Sequence, residues 1–353
     1  MHVLSSIFNW FIRFCGNVFV WCGIAAAVFV IIEIILYRTA ARRQQKGLPS
    51  GTPGGDNRLS GAEASFRKEA SSRTGASSRT GASSREDGSS RKKRIALVTG
   101  ASSGLGRQMI MEMDATEKNI DEFWLIARRR ERMEALSENL SRPSVIIPLD
   151  LMKPESIDEL KQKLTEADVE IGVLVNSAGL GKIGNYAALT TEENNLMIDL
   201  NDRAAVDVTI IAIPFMKAGD RIIEICSTAA FQPLQHFSVY AASKSFLYNY
   251  SRALRLELLP KRIPVTAVCP YWMKDTEFIP TASKTSSSYS SASPIRNFAL
   301  AVDSKTVARR VMRDSRAGFA VSTPGLLCTL HRFFGKLVPR ETLLYIWEVF
   351  RKL

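Results

Sequence analysis

From Arg94 onward, short apolar runs alternate with longer segments of helical periodicity, and few architectures accept that alternation. The runs IALVT, EFWLIA, SVIIPLD, IGVLVNSAG, DRIIEICS and PVTAVCP read as strands with little polar face, hence buried on both sides. Helical patterns follow Gly104, Glu131, Glu155, Thr191, Phe237 and Asp303. Strand and helix in turn imply βαβ units, so the expectation is an α/β domain whose parallel sheet is covered by helices on both faces.

The chain upstream has a different texture. Val18 to Leu36, VFVWCGIAAAVFVIIEIIL, is apolar apart from Glu33. As a helix it would span roughly 30 Å, the thickness of a bilayer core. It is too long, and starts with too little positive charge, for a cleaved signal peptide. Arg38, Arg42, Arg43 and Lys46 follow directly, a bias that places the downstream chain on the cytoplasmic side of a single-pass membrane protein. The expected organisation is a membrane segment over 1–37 with its helix at about 18–37, a linker over 38–93, a folded domain over 94–322 and a helical extension over 323–353. The linker contains SSRTGA, SSRTGA, SSREDG and SSRKKR in tandem. With almost nothing apolar to bury, it reads as a disordered, solvated tether whose Arg and Lys suit anionic headgroups.

Charge is informative through its location. The chain carries +12, but residues 38–94 hold 14 Lys/Arg against 5 Asp/Glu and so account for +9 of it. Basicity is a property of the tether, which argues against a nucleic-acid partner. The cysteines (Cys15, Cys22, Cys226, Cys269, Cys328) are odd in number, widely spaced and form no CxxC pair, and the three histidines are scattered. That pattern fits reduced thiols and no metal site.

The letters TGASS occur three times, at Thr74, Thr80 and Thr99. Only the third follows an apolar strand, continues as GLG and opens a helix. Gly100, Gly104 and Gly106 there permit a tight turn and close backbone approach, with the free N–H groups of a helix start facing a pyrophosphate. The first two copies have Arg where the third has Gly104, and belong to the linker.

At this point the sequence resembles the short-chain dehydrogenase/reductase family over roughly 94–322. Thr99-Gly100-x-x-x-Gly104-x-Gly106 matches its cofactor motif, Asn176-Ser177-Ala178-Gly179 its NNAG motif with Ser at the second position, and Asn201, Ser227, Tyr240 and Lys244 its catalytic tetrad. The resemblance implies a Rossmann-like doubly wound sheet of about seven strands and reversible hydride transfer between a nicotinamide cofactor and a carbonyl or alcohol carbon. It implies that Tyr240 gives or takes the oxygen's proton, that Ser227 holds the oxygen, that Lys244 tunes Tyr240 and bonds the nicotinamide ribose, and that Asn201 holds a water in a proton relay. It further implies cofactor contacts at Ser102, Ser103, Leu105, Asp150, Ala178, Gly179, Pro270 and Thr276, and a homodimer or homotetramer. The residues support part of this independently. Tyr240 and Lys244 lie four apart on one helix face, and a nearby ammonium lowers a phenol's pKa. Ser227 ends a strand, at the sheet edge where open α/β folds bind ligands.

An acidic residue commonly ends the second strand when the cofactor is NAD(H). Here the segment reads FWLIARRRER, with Arg128 and Arg129 in that place. Arginine forks suit a 2′-phosphate, so NADP(H) is expected, with NAD(H) the alternative. Tyr271 stands where the family has Gly after its sixth strand, and with Trp272 either lines the substrate pocket or packs. The serine-rich stretch 281–293 falls where the family places its substrate lid. His236 reads as a surface residue and Cys226 as buried packing. The apolar stripe Leu343, Leu344, Trp347 and Phe350 reads as a helix packed on the domain, the alternatives being membrane contact or a pocket wall. The functional expectation is a membrane-anchored oxidoreductase acting on a hydrophobic carbonyl or alcohol (steroid-like, ketoacyl or lipid-like). A tethered cofactor-binding scaffold without turnover is the alternative.

Overall fold

The structure, a computed structural model, describes residues 91–284, 295, 298 and 300–352. The segments expected to form the membrane helix and the tether, except for residues 91–93, and most of the serine-rich stretch lie outside the described residues. Among the described residues no helix is long and apolar enough to cross a membrane.

Seven strands form one parallel sheet in the order β3-β2-β1-β4-β5-β6-β7. They are β1 (Arg94–Thr99), β2 (Glu122–Ala127), β3 (Ser144–Pro148), β4 (Glu170–Asn176), β5 (Arg221–Ile225), β6 (Val265–Val268) and β7 (Val321–Ser322). Their apolar character has a direct cause: successive side chains enter opposite cores. Ile95 and Leu97 of β1 join one core and Ala96 and Val98 the other; Trp124 and Ile126 of β2 likewise separate from Phe123 and Leu125. The seventh strand has only two residues, too short to show as an apolar run.

One core is closed by α3 (Pro154–Glu166), α5 (Ala204–Ala212) and α6 (Ser238–Glu257). The other is closed by α1 (Gly104–Thr116), α2 (Arg130–Ser137) and α8 (Ser304–Arg316). The remaining helices are α4 (Thr191–Ile198), which runs into a π-helical turn at Asp199–Arg203, α7 (Phe278–Ala282), α9 (Leu326–Leu337) and α10 (Arg340–Phe350). The strand order reverses between β1 and β4. Crossovers leave in opposite directions there and a crevice opens beyond the carboxyl ends of the strands, the edge at which Ser227 was expected.

Candidate active site

The glycine turn after β1 begins the crevice. Gly100 and Gly104 have φ of +68° and +54°, the left-handed region that disfavours a Cβ. Gly106 has another reason: a Cβ there would lie 2.5 Å from the Gly100 carbonyl oxygen. The turn is braced from below. The Thr99 hydroxyl accepts the backbone N–H groups of Ser177 and Ala178, at 3.0 and 3.1 Å, joining the ends of β1 and β4.

Beyond β5, Ser227 caps a short 3-10 turn, its Oγ accepting the Ala229 N–H at 3.1 Å. Tyr240 and Lys244 share one face of α6 and both are buried. The Tyr240 ring stacks on Phe237 with centroids 4.2 Å apart. The Lys244 Nζ lies 5.9 Å from the Tyr240 ring centroid and donates to the Ile225 carbonyl at 2.9 Å. Burial pushes the Tyr240 phenol above its ordinary value, opposed by a hydrogen bond to Ser227. The lowered phenol expected from the Lys244 neighbour is therefore not what this packing gives: desolvation is the larger effect, and Tyr240 holds its proton at neutral pH. Burial also lowers Lys244, opposed by Cys226, Asp202 and Glu224 among its neighbours.

These groups open onto one cavity of about 810 Å³. Its cofactor side is formed by Gly100, Ser102, Ser103, Gly104 and Leu105 of the turn, by Arg128 and Arg129 after β2, by Asp150 after β3, and by Ala178 and Gly179 after β4. Ser227, Tyr240, Lys244, Pro270 and Thr276 line the same cavity. The turn, free of side chains at its tightest points and facing a two-arginine wall, fits a dinucleotide bearing a 2′-phosphate. Ser102, Ser103, Arg128 and Arg129 would hold the phosphate-bearing half, and Lys244 the ribose next to Tyr240. Among the described residues no cluster of metal-ligating side chains occurs.

Four expected site residues are not on the cavity wall. Thr99 and Gly106 brace the turn from behind. The Asn176 amide is turned into the protein, donating to the Ala205 carbonyl (3.2 Å), the Thr209 hydroxyl (2.7 Å) and Glu224 (3.0 Å). Asn201, in the π-helical turn, accepts the Leu180 N–H and donates to the Leu180 carbonyl, each at 2.9 Å, and donates to Ser243 at 3.0 Å. Its amide therefore pins the loop after Gly179. A Cβ on Gly179 would lie 3.0 Å from the Asn201 Oδ1 and 3.3 Å from the Lys244 Nζ.

The extension packs on the domain, as its apolar stripe implied, and also takes the pocket-wall role held as an alternative. Leu343, Trp347 and Phe350 of α10, with Leu330, His331 and Phe334 of α9, form a wall of the cavity; Leu344 does not. The Trp347 Nε1–H donates to the Gln235 carbonyl at 3.1 Å, fixing α10 against the segment before α6. Tyr271 and Trp272 both reach the cavity, and Trp272 stacks on Phe237 with centroids 5.7 Å apart. His236 stays off the wall, and Cys226 is buried.

Several functional groups escaped the sequence reading. His331, which burial lowers to about 4, is neutral at pH 7 and shares a 2.9 Å hydrogen bond with Gln232 at the cavity wall. Two carboxyls act electrostatically on Lys244. Burial raises Asp202 to about 7, and its Oδ1 has no hydrogen-bond partner among the described residues. Glu224, fully buried on β5, rises from 4.5 to about 7; one oxygen meets Asn176 and Thr209 while Oε2 has no partner among the described residues. A lone Glu in IIEICS gave no hint that its neighbours would be Asn176, Thr209 and Lys244.

Glu224 should leave a signature in stability. A carboxyl raised on folding favours the folded state fully below about pH 4.5, and that advantage is lost as pH rises through about 7. The Glu224 contribution should therefore fall across that window, against the rise that His331 contributes between about pH 4 and 6.5. Glu224→Gln should lack that fall, so that the difference between the two proteins grows with pH and the variant is the more stable at pH 8, by about 1–3 kcal/mol. Thermal unfolding of both proteins from pH 5 to 8 checks this; parallel curves would refute it.

Comparison with known proteins agrees with this geometry. The family model described as short chain dehydrogenase matches residues 94–286. The NADP-dependent 3-hydroxy acid dehydrogenase YdfG of Salmonella typhi is 33% identical over 188 residues, 52% of this chain and 74% of the relative. The 17-beta-hydroxysteroid dehydrogenase type 3 of Mus musculus is 29% identical over 184 residues, 50% of this chain and 59% of the relative. Among solved structures, a short chain dehydrogenase from Burkholderia cenocepacia in complex with NADP superposes with a TM-score of 0.53 at 25% identity, covering 65% of this chain and 92% of that one. With the parallel sheet, the glycine turn and the Ser227–Tyr240–Lys244 constellation in one crevice, the chain belongs to the short chain dehydrogenase family, oxidoreductases acting on CH–OH groups.

Proposed function

We propose that the protein reduces the carbonyl of an uncharged, largely apolar substrate with NADPH, and that it does so tethered to a membrane by its N-terminal segment, with the catalytic domain on the cytoplasmic side. The observation that carries the reading is the convergence of Ser227, Tyr240 and Lys244 with Arg128 and Arg129 on one cavity. The reduced nicotinamide, when bound, supplies the hydride. The chain's residues do the rest. Ser227 and Tyr240 hold the carbonyl oxygen between them, and Tyr240 gives that oxygen its proton. A phenol kept protonated by burial suits this direction. The Lys244 ammonium, on the same helix face, stabilises the phenolate left behind, and Asn201 keeps the Leu180 loop in register with it.

NADP(H) is supported by the arginine pair and by the absence of an acid at the end of β2. An NADP-dependent relative and an NADP-bound structural neighbour point the same way. Leu234, Phe237, Trp272, Phe334, Leu343 and Trp347 make the substrate side apolar. Among the described residues, the cavity's lysine and arginine side chains are Lys244, Arg128 and Arg129, all in catalytic or cofactor roles, so none of these is left to meet a substrate carboxylate. The acid substrates of the Salmonella relative are therefore disfavoured and neutral steroid-like or long-chain ketones favoured. The tether reading rests on the apolar segment 18–36 and the Arg/Lys cluster after it. A homodimer or homotetramer, as the family resemblance implies, is part of the same proposal.

The test is NADPH and NADH oxidation by the full-length protein in detergent against matched neutral ketones and 3-oxo acids. NADPH-dependent turnover of the ketones, at least about tenfold above the acids, is expected. Equal turnover of the acids would sink the substrate assignment. Tight NADPH binding with no turnover would favour a scaffold.

A further inference from the structure

We infer that Glu277 tempers cofactor discrimination from the far side of the crevice: its carboxylate competes with a 2′-phosphate for Arg129. The inference rests on the NADP(H) reading and assigns to that site a residue outside the glycine turn and the end of β2.

Glu277 lies in the segment between β6 and α7, next to Thr276, and lines the same cavity as Arg128 and Arg129; Arg132 stands off that wall. Its Oε2 accepts from Arg129 Nη1 at 2.9 Å and its Oε1 from Arg132 Nη1 at 2.5 Å. The other terminal nitrogen of Arg129, Nη2, donates to Ser103 Oγ at 2.9 Å and to Ser102 Oγ at 3.3 Å. Arg129 therefore has one edge on the phosphate-binding turn and the other on Glu277. The Arg128 side chain forms no hydrogen bond or ion pair with a described residue and lines the cavity, where a ligand can meet it. The segment carrying Glu277 also covers the turn: a Cβ on Gly104 would meet the Thr276 side chain at 3.7 Å.

The charges make this arrangement selective. Arg132 and Arg129 hold the Glu277 carboxyl below the usual carboxylate range, so it remains an anion at working pH. The pair is half exposed and weak in itself, so a doubly charged phosphate can displace it or crowd beside it. Either route carries a repulsive cost that a ribose 2′-hydroxyl does not meet; a hydroxyl can instead donate to a carboxylate. Glu277 thus weakens the phosphate-bearing cofactor selectively and narrows a preference that the arginines alone would set wider.

The experiment is calorimetric titration of the full-length protein and Glu277→Gln in detergent at low salt. The ligands are NADPH, NADH, 2′,5′-ADP and 5′-AMP; the last two differ by the 2′-phosphate alone. Glu277→Gln should bind NADPH and 2′,5′-ADP about two- to fivefold more tightly and leave NADH and 5′-AMP unchanged, the range one exposed like-charge contact supports. Weaker binding of 2′,5′-ADP by the variant would mean that Glu277 orders the arginines, and would overturn the inference; so would equal shifts in both ligand pairs. If the wild type itself fails to prefer 2′,5′-ADP over 5′-AMP, the NADP(H) reading falls and this inference with it. A wild-type preference that Glu277→Gln leaves unchanged overturns the role of Glu277 alone.

Discussion

Tyr240→Phe should lower kcat/KM for ketone reduction by about 10³-fold, within the range of a lost general acid, while NADPH affinity stays within about twofold. The two expectations separate because the substitution removes one oxygen and nothing else. Phe keeps the stack on Phe237 and the contact with Phe278. The Ser227 hydroxyl loses a partner but still meets the Ala229 N–H. The Lys244 Nζ keeps its bond to the Ile225 carbonyl, so the group assigned to the ribose does not move. What disappears is the proton source beside the carbonyl oxygen. Because burial raises the phenol, its deprotonation should not limit wild-type reduction below about pH 9. Single-turnover rates and NADPH titrations on the same two proteins decide the point. A loss of NADPH affinity as large as the loss of rate would show that Tyr240 holds the cofactor and is not the acid.

How much of this was legible before folding follows from the distance over which each feature is encoded. The glycine turn, the arginines after β2 and the Tyr240–Lys244 spacing are local: a few consecutive residues or one helical step fix them, so the sequence exposes them directly. The sheet was legible because strands buried on both faces must be apolar throughout. Its register was not: in β4, Gly172 is an extra residue opposite the Ile95–Ala96 step of β1, which puts Ile171 and Leu174 in the same core. Features assembled from distant segments were hidden. Glu277 meets Arg129 across 148 residues, and His331 meets Gln232 across 99. The pocket wall formed by α9 and α10 was underestimated for the same reason, since an amphipathic stripe reads alike whether its apolar side fills a core or borders a cavity. Asn176 and Asn201 were recognised as important, but a motif does not say which way an amide points; here both are used to hold backbone and neighbours.

The glycine turn allows a sharper test, because two of its glycines are required for different reasons. At Gly104 the demand is conformational: φ is +54°, yet a Cβ would meet only the Thr276 side chain, at an ordinary 3.7 Å. Gly104→Ala should therefore cost about 1 kcal/mol, the strain of a left-handed non-glycine residue, and weaken NADPH binding modestly. At Gly106 the backbone is helical and the demand is space. A Cβ would stand 2.5 Å from the Gly100 carbonyl oxygen, 3.0 Å from the Gly100 carbonyl carbon and 3.2 Å from the Ser177 Oγ. Two of these three atoms are backbone in the turn itself, and that turn is held by the Thr99 hydroxyl and by the Ala101 N–H to the Ile126 carbonyl at 3.2 Å. No rotamer change relieves the clash, so the start of α1 must move away from the turn. Gly106→Ala should cost about 2–3 kcal/mol as an overpacked site and weaken NADPH binding by about 100-fold, since displaced N–H groups no longer converge on one pyrophosphate. Thermal unfolding and NADPH titration of both variants measure the difference. If Gly104→Ala proved the more damaging, the turn would be limited by its left-handed conformation and not by the close approach of helix to strand.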